Sequence, residues 1–296
     1  LCTPILLGNT EMIQKKAAEL DLNLEGVEIV NLRHDNECER RERYAKVLAN
    51  KRQREGYNFE EANDKMFDRN YFGMMMVETG EADALITGVY TKFATTLQAA
   101  QEIVGIRAPY KHFGTMHILN SKRGTYYIAD TLVNRHPDKE TVKDVARLTA
   151  EAIRFFNDEP RIAMISYTNF GTDSVGSPKM VSDAVRELQE EYPDLKIDGE
   201  MSVDLALDHE RRDEKYPFLR LHNEVVNSMV FPNLSSASSA YKLIKQFSPE
   251  TEVIGPIQMG LNKPIHFTDF DASVRDIVNI TAVAVIDAYV EKLKKK

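Results

Sequence analysis

Cysteine is scarce in this sequence, and its scarcity excludes one class of protein. The 296 residues contain two cysteines, Cys2 and Cys38, too few for a disulfide framework and without the spacing of a metal site. A chain of this length with 43% hydrophobic residues can bury a full core, which excludes a disulfide-stapled peptide and a disordered tail. We therefore expect a folded protein of a reducing compartment, the cytoplasm.

Long apolar runs and an excess of basic residues are also absent. No apolar run approaches the ~18 residues of a membrane span, and the amino terminus lacks the layout of a signal peptide. Acidic side chains outnumber basic ones by 46 to 38, which argues against nucleic acid as the main partner. The seven histidines show neither metal-ligand spacing nor a Ser or Cys partner motif. We expect no membrane contact, no nucleic-acid partner and no metal site.

Short apolar runs alternate with longer helical patterns, which is typical of an α/β fold with mostly parallel sheets. The predicted strands cover residues 5–7, 27–30, 84–87, 126–129, 162–166, 226–231 and 253–254. The predicted helices cover residues 58–77, 141–156, 177–188 and 274–293. Pro137 and Pro256 interrupt the pattern, so the domain junctions are placed near Asp138 and Gly255.

Two segments allow a functional and a structural interpretation. Residues 35–54 are densely charged, but their mixed signs favour a solvated helix with an apolar stripe of Tyr44, Val47 and Leu48 over a phosphate-binding patch. The run of three methionines at 74–76 is interpreted as buried helix packing rather than a ligand surface.

Four segments combine glycine, hydroxyls and acids just after a predicted strand, where open α/β sheets bind ligands. They cover residues 80–96 with Lys92, 166–172, 198–204 and 231–235. Residues 166–172 lack the Gly-Lys-Ser/Thr ending of a P-loop, and taken singly each segment is more often structural than a site. Spacing alone predicts loops suited to an anionic ligand.

The order of these motifs resembles the phosphate acetyltransferase family along essentially the whole chain. The similar stretches are residues 80–84, 166–167, 198–204, 231–234, 240–243, 255–257 and 260–264. The resemblance implies two α/β domains with a coenzyme A cleft between them, an architecture like that of isocitrate and isopropylmalate dehydrogenases, and a dimer. It places residues 1–138 with 256–296 in the first domain, which lacks its first strand–helix unit, and residues 139–255 in the second.

The positions that the resemblance makes catalytic carry other residues here. Asp269 and Phe270 stand where the family has serine and arginine, Gln98 and Gln246 stand where it has arginine, and Phe170 stands where it has lysine. Asp276 stays where the family has an acid. Because losing one charge-stabilising donor costs about two to three orders of magnitude in rate, losing several should silence acetyl transfer. We therefore expect no catalytic residue in this chain.

The departures themselves resemble the phosphate-acetyltransferase-like C-terminal region of the hybrid NADP-dependent malic enzymes. The similar stretches are residues 128–134, 166–171 and 263–268. In that family this region is implied to assemble the oligomer and to sense acetyl-CoA. NADP and a divalent metal are expected only in the malic enzyme region, which this sequence does not contain, so the chain is interpreted as the carboxy-terminal part of a longer one.

Three hypotheses follow from the two resemblances. The favoured one is a non-catalytic regulatory domain that binds acetyl-CoA or a related CoA ester and is linked to a malic enzyme domain. The second is an active phosphate acetyltransferase in which Asp269 or His266 replaces the missing groups, and the third is a purely structural oligomerisation module. The candidate ligand contacts are Lys92, Asn169, Phe170, Gly171, Thr172, Asn233, Lys263 and Asp276.

Overall fold

The computed structural model describes residues 1–88, 93–269 and 272–294. The chain forms two compact units, one made of Leu1–Gly105 with Leu261–Lys296 and the other of Ile106–Gly260. The first unit combines helices with two parallel pairs of strands, and the second combines helices with one mostly parallel sheet, so the α/β class that the sequence predicts is confirmed.

The first unit is built from strand–helix pairs on both sides of the second unit's sequence. Its strands are β1 (Ile5–Leu7), β2 (Glu28–Val30), β3 (Leu85–Gly88) and β10 (Ile265–Thr268). Its helices are α1 (Thr10–Glu19), α2 (Cys38–Arg52), α3 (Phe59–Lys65), α4 (Arg69–Glu78), α5 (Phe93–Ile103) and α11 (Val274–Lys294). β1 pairs with β2 and β3 pairs with β10, both in parallel. The second pairing joins strands that are far apart in the sequence.

The core of the first unit contains the methionines of α4. Met74, Met75 and Met76 are all buried, which confirms the packing interpretation. On α2 the side chains of Tyr44 and Leu48 are buried as predicted, whereas Val47 is exposed. The sequence pattern did not predict that Arg41 is buried. Its guanidinium is satisfied there by donating to two backbone carbonyls of the preceding loop.

The single helix predicted for residues 58–77 is two helices. Asn58 caps α3 through a capping box with Glu61, whose N–H donates to Asn58 Oδ1 at 2.9 Å. The chain then turns, and Asp68 caps α4 by accepting the N–H groups of Asn70 and Tyr71 at 2.8 and 3.3 Å. A second N-cap inside the apolar pattern starts a new helix because it satisfies the first N–H groups of α4.

The second unit contains one six-stranded sheet. Its strands are β4 (Gly114–Ser121), β5 (Gly124–Ala129), β6 (Arg161–Ile165), β7 (Lys196–Met201), β8 (Ser228–Val230) and β9 (Glu252–Met259). Its helices are α6 (Lys139–Phe155), α7 (Gly176–Glu191), α8 (Val203–Leu207), α9 (His209–Lys215) and α10 (Leu234–Phe247). The strand order is β7-β6-β8-β5-β4-β9. β5, β6, β7 and β8 run in parallel, whereas β4 is antiparallel to both β5 and β9.

The boundaries of the two units differ from the junctions placed at Asp138 and Gly255. Residues 106–138 and 256–260, which the sequence assigned to the first domain, lie in the second unit. The reason is strand pairing: β4 pairs with β5 on one side and with β9 on the other. Pro137 and Pro256 interrupt the sequence pattern, but Pro256 lies within β9 and neither proline separates the strands of this sheet.

Three strands were absent from the sequence prediction. β4, β7 and β10 contain polar or charged residues that break the apolar pattern, among them His117, Asp198, Glu200 and His266. All four of these side chains are buried. The segment at residues 198–204, which the sequence placed after a strand, therefore begins inside one, because residues 198–201 complete β7.

Candidate functional site

The loop at residues 166–172 follows β6 and contains four of the candidate ligand contacts. Phe170 and Gly171 both adopt the left-handed conformation, with φ of 42° and 78°, which a phenylalanine adopts only at a cost. The N–H of Phe170 donates to the carbonyl of Glu200 at 3.0 Å, and that of Gly171 donates to Glu200 Oε1 at 2.6 Å. Strand β7 thus holds the loop through one buried residue, Glu200.

Asn169 and Thr172 complete this arrangement. Asn169 Oδ1 accepts the N–H of Ser202 at 2.8 Å and its hydroxyl at 3.2 Å, at the residue that precedes α8. The N–H and the hydroxyl of Thr172 both donate to the carbonyl of Asn169, the N–H at 3.3 Å. The structure therefore brings Asn169, Gly171 and Thr172 together with the end of β7, and it leaves Gly171 and Thr172 exposed.

The three acids of residues 198–204 do not form one acid–base group. Asp198 is buried and accepts the N–H of Arg220 at 2.7 Å, and burial raises the pKa of its carboxyl. Glu200 holds the loop described above. Asp204 lies in α8, where hydrogen bonds from Ser202 and Arg211 lower the pKa of its carboxyl to about 2. Each carboxylate thus has its own structural partners.

Phe170 packs into a group of aromatic rings. Its ring centroid lies 4.6 Å from that of Tyr216 and 5.5 Å from that of Phe218. Phe170 and Tyr216 are half-buried against the apolar core, whereas Phe218 is exposed. At the position where the resemblance implies a lysine, this chain therefore presents an apolar surface instead of a charge.

Asn233 lies in the connection that follows β8, at the same edge of the sheet. Its Oδ1 accepts the N–H of Ser236 at 3.0 Å, so it is the N-cap of α10. Because β5, β6, β7 and β8 are parallel, their carboxyl ends lie along one edge, where α/β sheets bind ligands. Of the four polar segments singled out in the sequence, 166–172 and 231–235 follow these strands, and 198–204 includes the end of β7.

Asp130 was not among the candidate residues, yet it organises the connection after β5. Its buried carboxylate accepts the N–H and the hydroxyl of Thr115, both at 2.9 Å, and two hydrogen bonds from Asn134 at 2.7 and 2.6 Å. The carbonyl of Asn134 in turn accepts the N–H of Leu234 at 2.8 Å. In the sequence Asp130 lies in the stretch 128–134, which resembles the C-terminal region of the malic enzymes.

In the first unit, Gln98 belongs to a polar cluster around Glu102. The amide of Gln98 donates to Glu102 Oε1 at 2.7 Å. Oε2 of the same carboxylate accepts the hydroxyls of Tyr57 and Tyr71, both at 2.6 Å, and the ammonium of Lys65 at 3.2 Å. Glu102 is buried, and these four hydrogen-bond donors compensate its charge in place of water.

Opposing effects act on the pKa values of this cluster. Burial raises the pKa of Glu102, but the hydrogen bonds from Tyr57, Tyr71 and Gln98 outweigh it and lower the pKa overall. Burial lowers the pKa of Lys65, but its hydrogen bonds to the two hydroxyls and to Glu102 raise it well above the usual range. The carboxylate and the ammonium are therefore charged partners at neutral pH.

Lys263 and Asp276 both have partners within the first unit. The ammonium of Lys263 lies 3.0 Å from Glu291 Oε1 on α11. Asp276, in the first turn of α11, accepts the N–H and the hydroxyl of Ser273 at 2.9 and 2.8 Å. The charge of Lys263 is thus paired, and Asp276 closes the turn that leads into the helix.

The remaining positions named from the sequence contribute less to this picture. Lys92 and Phe270 lie outside the described residues. Asp269 directly follows β10 and is half-buried, and Gln246 is exposed near the end of α10.

Across residues 1–88, 93–269 and 272–294, no group of three or more His, Cys, Asp or Glu side chains is arranged to hold a metal ion. In the same ranges, no helix is both long and apolar enough to cross a bilayer.

Comparison with known proteins gives one family and two kinds of relative. The family profile described as "Phosphate acetyl/butaryl transferase" matches residues 1–285. The NADP-dependent malic enzyme of Escherichia coli (strain K12) is 32% identical over 295 residues, which is 99% of this chain and 39% of that protein. The phosphate acetyltransferase of Bacillus subtilis (strain 168) is 30% identical over 285 residues, 96% of this chain and 86% of that protein. The chain thus spans about two fifths of the malic enzymes that it matches.

Solved structures share the fold over nearly the whole chain. A phosphotransacetylase from Streptococcus pyogenes has a TM-score of 0.83 at 27% identity and covers 97% of this chain and 85% of its own. The EutD phosphotransacetylase from Staphylococcus aureus has a TM-score of 0.80 at 25% identity, with coverages of 98% and 86%.

Proposed function

The chain belongs to the phosphate acetyl/butaryl transferase family, and from that premise we propose that it is the regulatory and oligomerising region of an NADP-dependent malic enzyme. In this proposal acetyl-CoA, or a related CoA ester, binds as an allosteric effector and no acetyl group is transferred. NADP and a divalent metal ion belong to the linked malic enzyme region, and the whole protein acts in the cytoplasm as a homo-oligomer.

The hydrogen bond between Gln98 and Glu102 carries the proposal. The substrates of acetyl transfer to phosphate are anionic, and their transition state needs preorganised cations. Gln98 supplies a neutral amide that is bonded to a buried carboxylate at 2.7 Å. Phe170 adds an aromatic ring where a second cation is implied. Both substitutions remove positive charge while the surrounding fold is kept.

The same loops remain suited to binding a CoA ester. In the second unit we propose contacts from Asn169, Phe170, Gly171, Thr172 and Asn233, which lie on the carboxyl edge of the sheet. In the first unit we propose contacts from Lys92, Lys263 and Asp276. A ligand that binds two states of this chain with different affinity shifts their balance, and a linked enzyme domain can respond to that shift.

Calorimetry with acetyl-CoA tests the binding half of the proposal. We expect the chain to bind acetyl-CoA, and Phe170→Ala to weaken the affinity about tenfold by removing apolar contact. Phe155→Ala is the matched control, because Phe155 is an exposed aromatic residue on α6 outside the carboxyl edge. Absence of binding by the unsubstituted chain would refute the effector role.

An active phosphate acetyltransferase is the alternative. It is favoured by the Bacillus subtilis relative, of which this chain spans 86%. Asp269 or His266 would then take over the missing roles, but His266 is buried and lies 3.5 Å from Asp287. Direct measurement of acetyl phosphate formation separates the two functions: we expect no turnover above a heat-denatured control, and clear turnover would establish the alternative.

A further inference from the structure

Phe218 lies on the surface of the second unit, and two neighbouring rings fix its orientation. The side chain is 70% exposed. Its ring centroid lies 5.5 Å from that of Phe170 and 6.0 Å from that of Tyr216, and its plane is nearly perpendicular to both, at 84° and 83°. Edge-to-face contacts of this kind are the preferred geometry of aromatic pairs. These three residues are called here the aromatic platform.

The backbone that carries Phe218 is anchored by buried side chains. The guanidinium of Arg212 is fully buried and donates to the carbonyl of Leu221 at 2.7 Å. The buried carboxylate of Asp198 accepts the N–H of Arg220 at 2.7 Å. Because the chain on the carboxy-terminal side of Phe218 is held in this way, a ligand that covers the ring has little additional order to impose. The platform is therefore preorganised for binding.

Phe170 brings the platform to the carboxyl edge of the sheet. It belongs to the loop after β6, and its φ of 42° is unusual for a residue with a side chain. Backbone conformations of this kind cluster at ligand sites, where the surrounding structure enforces them. In this conformation the ring of Phe170 lies 4.6 Å from that of Tyr216. The platform thus lies where α/β sheets bind ligands.

We propose that the aromatic platform binds the adenine ring of a CoA ester, which stacks on Phe218. A CoA ester consists of an acyl group, a flexible pantetheine chain and an adenine nucleotide, and adenine is its planar aromatic part. Stacking on an exposed ring stabilises a base without an enclosed pocket. A flexible chain would lose more conformational entropy on the same open surface. The inference rests on the effector role proposed above, and it specifies which end of the ligand the second unit recognises.

The charged groups beside the platform favour stacking over ionic contacts. Helix α9, which precedes Phe218, carries charges of both signs. Its ion pairs are Arg211 with Asp204 and Arg212 with Asp213. The exposed residues of its last turn, Glu214 and Lys215, carry opposite charges. We therefore expect the contribution of Phe218 to affinity to be nearly independent of ionic strength, because a stacking contact is not screened by salt.

Calorimetry with two fragments of the ligand tests which end is bound. Adenosine 3′,5′-bisphosphate is the nucleotide probe, and S-acetylpantetheine is the acyl probe. We expect Phe218→Ala to weaken the binding of acetyl-CoA and of the nucleotide probe by about tenfold or more, at low and at high salt. The same variant should bind the acyl probe as the unsubstituted chain does.

Phe247→Ala is the matched control. Phe247 is 80% exposed and ends α10, about 20 Å along the helix from Asn233 at the carboxyl edge. We expect this variant to bind acetyl-CoA and both probes with unchanged affinity.

Tryptophan fluorescence tests the contact directly, because the chain contains no tryptophan. Phe218→Trp introduces a single indole into the platform, and Phe247→Trp introduces one at the control position. We expect acetyl-CoA and adenosine 3′,5′-bisphosphate to quench the first indole and to leave the second unchanged. Because indole also stacks on bases, Phe218→Trp should bind acetyl-CoA at least as tightly as the unsubstituted chain.

The outcomes separate this inference from the effector role. Equal affinity of the unsubstituted chain and Phe218→Ala for acetyl-CoA would overturn the stacking contact and leave the effector role intact. A loss of affinity for the acyl probe, with the nucleotide probe unaffected, would assign the platform to the acyl end and overturn the inference. Absence of acetyl-CoA binding by the unsubstituted chain would refute the effector role and this inference with it.

Discussion

The side-chain amide of Gln98 donates a hydrogen bond of 2.7 Å to Oε1 of Glu102, one turn later in α5. The other oxygen of Glu102 accepts two tyrosine hydroxyls and the ammonium of Lys65. Gln98 is thus part of a network inside the first unit. Its neutral amide donates to the buried carboxylate of Glu102. A cation at position 98 would pair with that carboxylate before it could bind an anionic ligand.

We predict that Gln98→Arg does not create acetyl transfer. The guanidinium would pair with Glu102 at the spacing of one helical turn, so its charge would be compensated before any anionic ligand reached it. The free energy of unfolding should rise by no more than about 1 kcal/mol, because position 98 is largely exposed. Chemical denaturation and an acetyl phosphate assay check both parts. Strong acetyl phosphate formation by this variant would mean that Glu102 does not compensate the arginine.

Glu102→Ala should destabilise the chain by about 3 kcal/mol. The substitution removes the common acceptor of two tyrosine hydroxyls and leaves the charge of Lys65 without its partner. Urea denaturation measures the loss. Glu19→Ala is a suitable control, since it breaks the exposed pair with Lys16 and should cost less than about 0.5 kcal/mol. Equal effects of the two substitutions would argue that the cluster adds nothing to stability.

The lowered pKa of Glu102 predicts a loss of stability in acid. A carboxyl whose pKa is lower in the folded than in the unfolded state stabilises the fold fully above its unfolded value of 4.5. This contribution is lost as the pH falls below 4.5 and through the folded-state pKa. The difference in unfolding free energy between the unsubstituted chain and Glu102→Gln should therefore be constant near neutral pH and shrink below pH 4.5. A difference that grew in acid would contradict the assigned direction.

Glu200→Ala should loosen the loop at residues 166–172. The substitution removes the acceptor of the Gly171 N–H, which lies 2.6 Å from Glu200 Oε1, so the amide of Gly171 should exchange its hydrogen about tenfold faster or more. Hydrogen exchange resolved to this residue is the measurement. Glu200→Gln keeps a carbonyl oxygen at the same place and should retain most of the protection. No change in the alanine variant would show that the backbone bond to Phe170 holds the loop by itself.

The sequence predicted seven of the ten described strands, but it gave no helix for α1, α9 and α10. Apolar residues at helical spacing identified α6, α7 and α11, and the buried methionines of α4 followed from the same pattern. β7 was missed because Asp198 and Glu200 look like surface residues. In the folded chain each carboxylate accepts the N–H of a residue that is distant in sequence, Arg220 for Asp198 and Gly171 for Glu200.

The sequence singled out the loop at residues 166–172 and Asn233 because hydroxyls and amides follow apolar strands there. The structure places both along one edge of the sheet, and their contact with a ligand stays a prediction. Asp130 and the loop-holding role of Glu200 were not found. Asp130 accepts from Thr115 on β4 and Glu200 accepts from Gly171 in the loop after β6, and no local spacing reveals such distant partners.

The sequence by itself determined the α/β class, most strands, several helices and the family, because these follow from local hydrophobic periodicity and from the order of short motifs. Only the tertiary structure decided which strands share a sheet, and hence that the compact units divide after Gly105 and after Gly260. It also decided that Gln98 donates to the buried carboxylate of Glu102 and that the buried carboxylate of Glu200 accepts the N–H of Gly171. Strand pairing and side-chain burial both depend on residues that are distant in sequence but close in the fold. The free energy of a buried charge depends on these neighbours.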